Sequence, residues 1–444
     1  MHGSLCLSTI MIIAILNHSD KGTPHSPASN PEQSKLENTP TPASASESNQ
    51  STYWSRFRGP NGSGISTDKG IPVQWEDGKY AWDVTLPGVG HSSPCIWNEH
   101  LFLTTAIEDG LRRSIISLNA KTGEIRWIRE LESKTFKKHL KNSYASSTPA
   151  TDGKYVFVSF NTEEHYSLLA YDFHGNKVWE LDLGAFQSQH GAGVSPIVEK
   201  GIVYLANDQD GTSFLIAVDA KTGELIWKND RGSDATSYST PLILNRPGLS
   251  PEVVFASKAE GIASFDAKTG EQLWKVDPIE HRTVSSLTFG DGLLIQTAGG
   301  GGKGYFLVAL RPGKKPAQTE VVWTRDKDLP YVPTPIIYKG YLFLWGDNGV
   351  VRCLEAATGK EIWTQRVGQA QFSGSPVCVD GKLYCMSETG EVFVVRAAPQ
   401  YEPLGRSSLG DPSHSTPAVS GGRLYLRTFH RLFCIGSSEN TDNQ

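Results

Sequence analysis

One nine-residue phrase recurs through the chain. It reads DAKTGELIW over Asp219–Trp227, DAKTGEQLW over Asp266–Trp274, NAKTGEIRW over Asn119–Trp127 and EAATGKEIW over Glu355–Trp363. Weaker copies end at Trp179 and Trp323, and Trp82 stands in a similar strand with no turn before it. The seven tryptophans, Trp82, Trp127, Trp179, Trp227, Trp274, Trp323 and Trp363, fall 40 to 52 residues apart. A second marker keeps step with them: Ser93-Pro94, Thr148-Pro149, Ser195-Pro196, Thr240-Pro241, Thr334-Pro335, Ser375-Pro376 and Thr416-Pro417, with Ser286-Leu287 at the remaining place. Eight anchors divide the chain beyond residue 52 into units of about 49 residues, the period of a repeat architecture.

Each unit reads as four strands. In the third, Val194–Val198 and Ile202–Ala206 precede Phe214–Asp219, the Lys-Thr-Gly turn reverses the chain, and Glu224–Trp227 closes the unit. Aspartate and threonine side chains satisfy backbone groups in such a turn, and glycine supplies the positive φ. The tryptophan that follows is placed to pack between neighbouring sheets, where burying ~150–250 Å² of aromatic surface stabilises each junction by several kcal/mol. Four-stranded antiparallel sheets repeated radially make an all-β, eight-bladed β-propeller. Only seven tryptophan strands follow eight first strands, and the last unit ends near Cys434 after three. The strand at Trp82 is therefore expected to close the ring and remove the open edge. A linear β-solenoid or a pair of sandwiches is the alternative. A WD40 pattern is disfavoured, since Trp82-Asp83 is the only Trp-Asp pair.

The two ends read differently. Leu5–Leu16 is an apolar run too short to span a bilayer and close to a signal-peptide core, so residues 1–20 are expected to be a signal peptide or membrane anchor. Residues 21–52 hold five Pro, seven Ser and one large apolar side chain, Leu36. They cannot bury enough surface to offset ordering and read as a disordered tether, with 437–444 a disordered tail. The propeller is assigned to 53–436, with 53–78 a lead-in. Lys plus Arg is 42 against 47 Asp plus Glu, a formal charge of −5. No basic surplus is available for a phosphate backbone, which argues against nucleic acid as partner.

The pattern A-x-D-x-x-T-G-x-x-x-W, met in full by Ala217–Trp227, is similar to the tryptophan-docking motif of pyrroloquinoline-quinone (PQQ) repeat propellers. The segment Trp54–Gly64, WSRFRGPNGSG, looks like the lead-in of secreted PQQ-like repeat proteins. The resemblance implies an exported, periplasmic or envelope-associated protein. Its family includes quinoprotein alcohol dehydrogenases and the propeller lipoprotein of the outer-membrane β-barrel assembly machinery. The motif specifies fold and leaves function open.

Ligand sites in propellers gather at the channel mouth, where the segments before the anchors meet. These segments carry His91, Lys141, Asn142, Tyr144, His190, Tyr238, Arg282, Tyr331, Gln371 and His414. His91 and His414 both stand three residues before their proline, in units that become neighbours on closure, and could share a metal or an anion. Channel-lining residues bound to water are the plainer reading. The loop holding Asp208 and Asp210 has the oxygen density of a Ca²⁺ site but lacks the closing Glu, so a hairpin turn is favoured. Gly299–Gly304 lacks the Ser or Thr and the flanking helix of a phosphate loop. Cys95, Cys353, Cys378, Cys385 and Cys434 include none of the adjacent pairs common in quinoprotein dehydrogenases; they read as small buried apolar residues, with Leu383 opposite Cys378.

Three functions remain open. The first is a non-catalytic, monomeric envelope propeller that binds a protein or peptide, in keeping with compact units that leave little room for the long insertions that roof a quinone. The second is a PQQ- and Ca²⁺-dependent alcohol dehydrogenase, for which the resemblance implies Asp234 as base and Lys141, Arg282 and His414 as quinone contacts. The third is a hydrolase or lyase using the two histidines.

Overall fold

The computed structural model describes residues 53–232, 235–276, 279–313, 315 and 318–436. The expectations for 1–52, for 437–444 and for Asp234 fall outside them. Among the described residues there are eight sheets, each built on four antiparallel blade strands that in blades 1 to 7 run in sequence order from the hub outward, and two of the sheets carry a fifth, innermost strand from the start of the chain. Blade 3 shows the plan, with Ile197–Glu199 innermost, then Ile202–Asn207, Ser213–Asp219 and Leu225–Arg231. Blades 1, 2 and 4 to 7 begin at Cys95, Ala150, Leu242, Thr288, Ile336 and Val377. Blade 8 takes Ala418–Ser420, Arg423–Arg427 and Arg431–Ile435 from the end of the chain, and Trp82–Thr85 completes it. The ring is thus closed by a strand that precedes blade 1 in sequence. Among the described residues no helix is long and apolar enough to cross a membrane.

The recurring phrase makes the joints. In blade 3, Asp219 Oδ1 accepts the N–H groups of Lys221 and Thr222 at 2.9 and 2.8 Å, and Gly223 turns at φ 77°. The indole of Trp179, from blade 2, lies flat on Gly223, where a Cβ would stand 2.8 Å from the ring. Its Nε1–H donates to the Ala220 carbonyl at 3.0 Å. Trp82, Trp127, Trp227, Trp323 and Trp363 donate in the same way to Ala120, Phe173, Ala267, Ala356 and Ala398 of the next blade.

Trp274 departs from this pattern: the connection it would meet in blade 5, residues 312–319, is longer than the corresponding turns of blades 1 to 4, 6 and 7. Its Nε1–H donates instead to the buried Glu252 of its own sheet at 2.7 Å. Glu252 pairs with Arg246, which reaches across to the Gly313 carbonyl of blade 5. The outer strand of blade 7, Pro403–Ser408, has no tryptophan to dock on blade 8. There the lead-in fills the gap, with Trp75 N–H on Ser407 Oγ at 2.9 Å and Tyr384 O–H on the Ile71 carbonyl at 3.1 Å.

The second marker has its own physics. The N–H of Ser93 donates to Thr148 Oγ1, Thr148 to Ser195, Thr240 to Ser286, Ser286 to Thr334, Thr334 to Ser375, Ser375 to Thr416, and Thr416 back to Ser93, at 2.9–3.1 Å. Seven of the eight blade junctions are laced in this way by an anchor hydroxyl, the exception being that between blades 3 and 4. Ser286 keeps its place in this ring although no proline follows it, so the hydroxyl is the constant element of the motif. Ser286→Ala is expected to leave the buried Thr240 N–H without an acceptor, at about 1–3 kcal/mol. Ser286→Thr should be nearly neutral; urea denaturation of the two variants measures the difference.

The hub is filled by the chain itself. Tyr53–Trp54 pairs antiparallel with the innermost strand of blade 1, and Ile65–Ser66 pairs parallel with that of blade 7. Between them Ser55 O accepts the Thr151 N–H of blade 2 at 2.8 Å, and Asn61 bonds the Ile243 backbone of blade 4 in both directions, at 2.7 and 3.0 Å. The guanidinium groups of Arg56 and Arg58, fully buried, donate to the carbonyls of Pro241 and Pro335, in blades 4 and 6. Burial lowers both arginines to about 9. Gly59 and Gly64 are dictated by this packing: a Cβ at Gly59 would strike the Trp54 ring, and one at Gly64 the Arg58 side chain. The propeller was expected to offer a channel; it is stoppered by an axle of its own residues.

All five described cysteines are free and buried, and Cys378 faces Leu383 across its hairpin. Burial raises the thiols of Cys95, Cys353, Cys378 and Cys434.

Candidate functional site

Closing the hub from one end leaves a cup at the other. Its floor is the ring of anchor hydroxyls, Ser93 to Thr416, with Phe57 at the bend of the axle; its volume is ≈ 950 Å³. Because the innermost strands all run away from this floor, the segments before the anchors become the walls. Of the residues singled out from sequence, His91, Lys141, Asn142, His190, Tyr238, Arg282, Tyr331 and His414 line the cup.

Tyr144 and Gln371 do not line it. Tyr144 is folded under the rim, its hydroxyl on the Phe136 carbonyl at 2.9 Å and its ring 4.5 Å from the Arg113 guanidinium. Gln371 is exposed and uses its carbonyl to accept the Glu388 N–H at 2.8 Å. Asp208 and Asp210 lie outside the cup lining and serve different partners. Asp208 is buried against Arg231 at 3.3 Å, and burial raises its carboxyl despite that charge. Asp210 spends Oδ1 on Thr236 and Oδ2 on the Gln189 N–H.

One wall is a charged cluster. Lys141 Nζ reaches across from the blade 1–2 connection to Glu388 of blade 7 at 2.6 Å, and Ser373 Oγ donates to the same oxygen at 2.6 Å. Burial alone would raise the Glu388 carboxyl, but these two hydrogen bonds and the lysine charge hold it below its ordinary value. His414 Nε2 stands 3.8 Å from the other carboxylate oxygen, and its Nδ1 is 3.3 Å from the Lys141 carbonyl. The His91 and His414 rings meet edge to face with centroids 4.6 Å apart, and both pack on Phe429.

Burial drives His91 well below the ordinary imidazole value, helped by His414, Arg427 and Lys138, and burial lowers His414 as well. Both are therefore neutral at pH 7, which suits packing more than anion capture. An unfolded imidazole titrates near 6.5, so below about that pH the unfolded chain binds protons that the folded one refuses, and stability is lost as pH falls. His91→Phe, which keeps the stack on Phe429, is expected to shrink the fall in melting temperature between about pH 7 and pH 5. It should not abolish it, since burial also lowers His100 and His190.

The opposite wall holds Arg282 among Tyr238, Tyr331 and His190. Burial pushes the Tyr238 phenol up to about 12 and raises Tyr331, with the arginine charge opposing both. Sequence reasoning gave no role to Phe57, His139, Asp347 and Glu388, which also shape the site. Asp347 sits in the cup lining with its carboxylate on the N–H groups of Tyr331 and Val332 at 2.7 and 3.1 Å, and burial raises it. Asp347 and Glu388 lie at second-to-third-strand loops, and the acidic character of those loops was the signal that could have found them.

Comparison with known proteins places these features in a family. The family model described as outer membrane protein assembly factor BamB matches residues 64–172, 164–325, 315–398 and 347–441. The outer membrane protein assembly factor BamB of Yersinia pestis is 24% identical over 292 residues, spanning 60% of this chain and 70% of that protein. The structure of BamB from Moraxella catarrhalis superposes with a TM-score of 0.57 at 13% identity, over 82% of this chain and 99% of that one. A quinohemoprotein alcohol dehydrogenase from Pseudomonas putida HK5 superposes at 0.63 and 12% identity, over 88% and 81%. Both structural likenesses speak to fold alone.

Proposed function

We propose, from the premise that this chain belongs to the PQQ-like repeat family described as outer membrane protein assembly factor BamB, that it is a non-catalytic binding protein of the cell envelope. Acting as a monomer on the periplasmic side, it receives an exposed segment of a partner protein in its cup. The observation that carries this reading is the axle: residues 53–66 fill the hub and leave a one-sided recess of ≈ 950 Å³ with a polar floor and an aromatic centre. That volume suits several side chains of a docked segment. A photo-crosslinking amino acid at Val332, in the cup, is expected to trap an envelope protein in living cells, while one at Lys154, on the exposed turn of blade 2, is not. Crosslinks from Lys154 and none from Val332 would defeat the reading.

A Ca²⁺-bridged quinone does not fit this site. Hard-cation binding needs converging oxygen donors, and Asp208 and Asp210 are each committed elsewhere. Lys141, a quinone contact implied by the resemblance, is already held by Glu388. Among the described residues no three His, Cys, Asp or Glu side chains gather as a metal site. Dye reduction driven by an alcohol after addition of PQQ and Ca²⁺ would reverse this assignment.

A further inference from the structure

We propose that the Arg282 wall of the cup is a carboxylate-binding subsite, so that the segment received there presents a chain-terminal carboxylate or an acidic side chain. This rests on the peptide-binding reading above and adds the chemistry of the ligand. Arg282 is half-buried, and its backbone is fixed by a two-way bridge to Gly299, with Arg282 N–H on Gly299 O at 3.1 Å and the reverse bond at 3.0 Å. A Cβ at Gly299 would collide with the Lys303 carbonyl and the Tyr331 ring. Backbone therefore forms the wall beside the arginine, and no side chain from that position can cover it.

Three lysine and arginine side chains line the cup, Lys141, Lys258 and Arg282, of which Lys258 has partners of its own. Lys141 is ion-paired with Glu388 at 2.6 Å. Among the described residues Arg282 forms no ion pair. Asp210 feels its charge, but both carboxylate oxygens of Asp210 are spent on Thr236 and Gln189. Glu280 lines the same cavity but is exposed. A planar guanidinium with fixed geometry matches a carboxylate by two parallel N–H···O bonds. The Tyr331 phenol oxygen accepts a hydrogen bond from the Arg282 guanidinium, and the phenols of Tyr238 and Tyr331, both raised by burial, carry O–H donors beside it. Phe57 and Val332 line the same cavity and give the apolar body of a peptide something to pack on.

The test uses the full chain and fluorescence anisotropy with three fluorescein-labelled heptapeptides of sequence Ser-Gly-Phe-Gly-Ser-Gly-Phe. One has a free C-terminal carboxylate, one is the C-terminal amide, and one is the amide with its central Gly replaced by Glu. At least one acid-bearing peptide is expected to bind ten times more tightly than the plain amide, and which one does so identifies the source of the carboxylate. Arg282→Gln should bring the ratio within twofold. Arg282→Lys, which keeps the charge and loses the fork, should fall between, and it serves if the glutamine variant does not fold. Equal binding of acid and amide by the native chain would overturn the carboxylate subsite and leave the peptide reading standing. A tenfold preference that survives both substitutions would overturn the assignment to Arg282. Binding of none of the three at millimolar concentration would overturn both.

Discussion

A chain that starts at residue 67 is expected to melt on the order of 10 °C below one that starts at residue 53, as measured by calorimetry at one scan rate. The fourteen residues removed carry Trp54, which is 1% exposed, and truncating a buried tryptophan typically costs about 3–5 kcal/mol. They also carry two strand pairings and the bidentate Asn61 contact to Ile243. Losing Arg56 and Arg58 works the other way, because each is a desolvated charge held by neutral carbonyls, so its removal returns part of the burial cost. Trp54→Ala alone separates the two terms, since it keeps both arginines; it should account for most of the drop. Equal midpoints for the two chains would mean that the blades hold their ring without the axle, and that the floor of the cup is incidental.

The second large effect is at the seam. Trp82→Ala is expected to cost about 3 kcal/mol by loss of packing, and to raise hydrogen exchange in Arg431–Ile435 above that of any other third strand. The indole of Trp82 covers Gly123 of blade 1 and donates to the Ala120 carbonyl at 3.2 Å, while its strand pairs with Arg431–Ile435. It therefore joins blade 8 to blade 1 and holds the last strand of the chain at once. Trp227→Ala, between blades 3 and 4, should cost at least as much because Trp227 is the more buried, at 7% exposed. Its exchange should rise on both flanking blades without singling out one strand. If Trp82→Ala leaves the exchange of Arg431–Ile435 unchanged, the closing strand does not hold the seam.

The repeat could be read because each joint is written in local sequence. Asp219, Thr222 and Gly223 make a turn whose geometry depends on three neighbours, and a tryptophan needs only a short turn presenting a carbonyl to dock, as Phe173 and Ala398 also do. The anchor register could be read for the same reason, and it put eight of the ten chosen wall residues in the cup. Tyr144 failed because its connection is long enough to fold back under Arg113. Trp274 broke the docking rule because its neighbour's turn has changed, which the sequence did show at Arg311–Glu320. The axle was illegible for a different reason. Its partners are backbone carbonyls of Pro241 and Pro335 and the peptide of Ile243, far away in sequence. Carbonyls carry no residue identity, so nothing in WSRFRGPNGSG points to them.

The axle also acts as a gauge. Trp-to-turn joints recur at six of the eight junctions and hydroxyl links at seven, so a duplicated or deleted unit could bring matching couplings on both flanks and be accepted by its neighbours. Residues 53–66 touch blades 1, 2, 4, 6 and 7 by separate bonds, and those bonds can all be met at one angular spacing alone. A seven- or nine-membered relative would misplace at least some of them, so this short insert fixes the blade number that the repeats by themselves leave free.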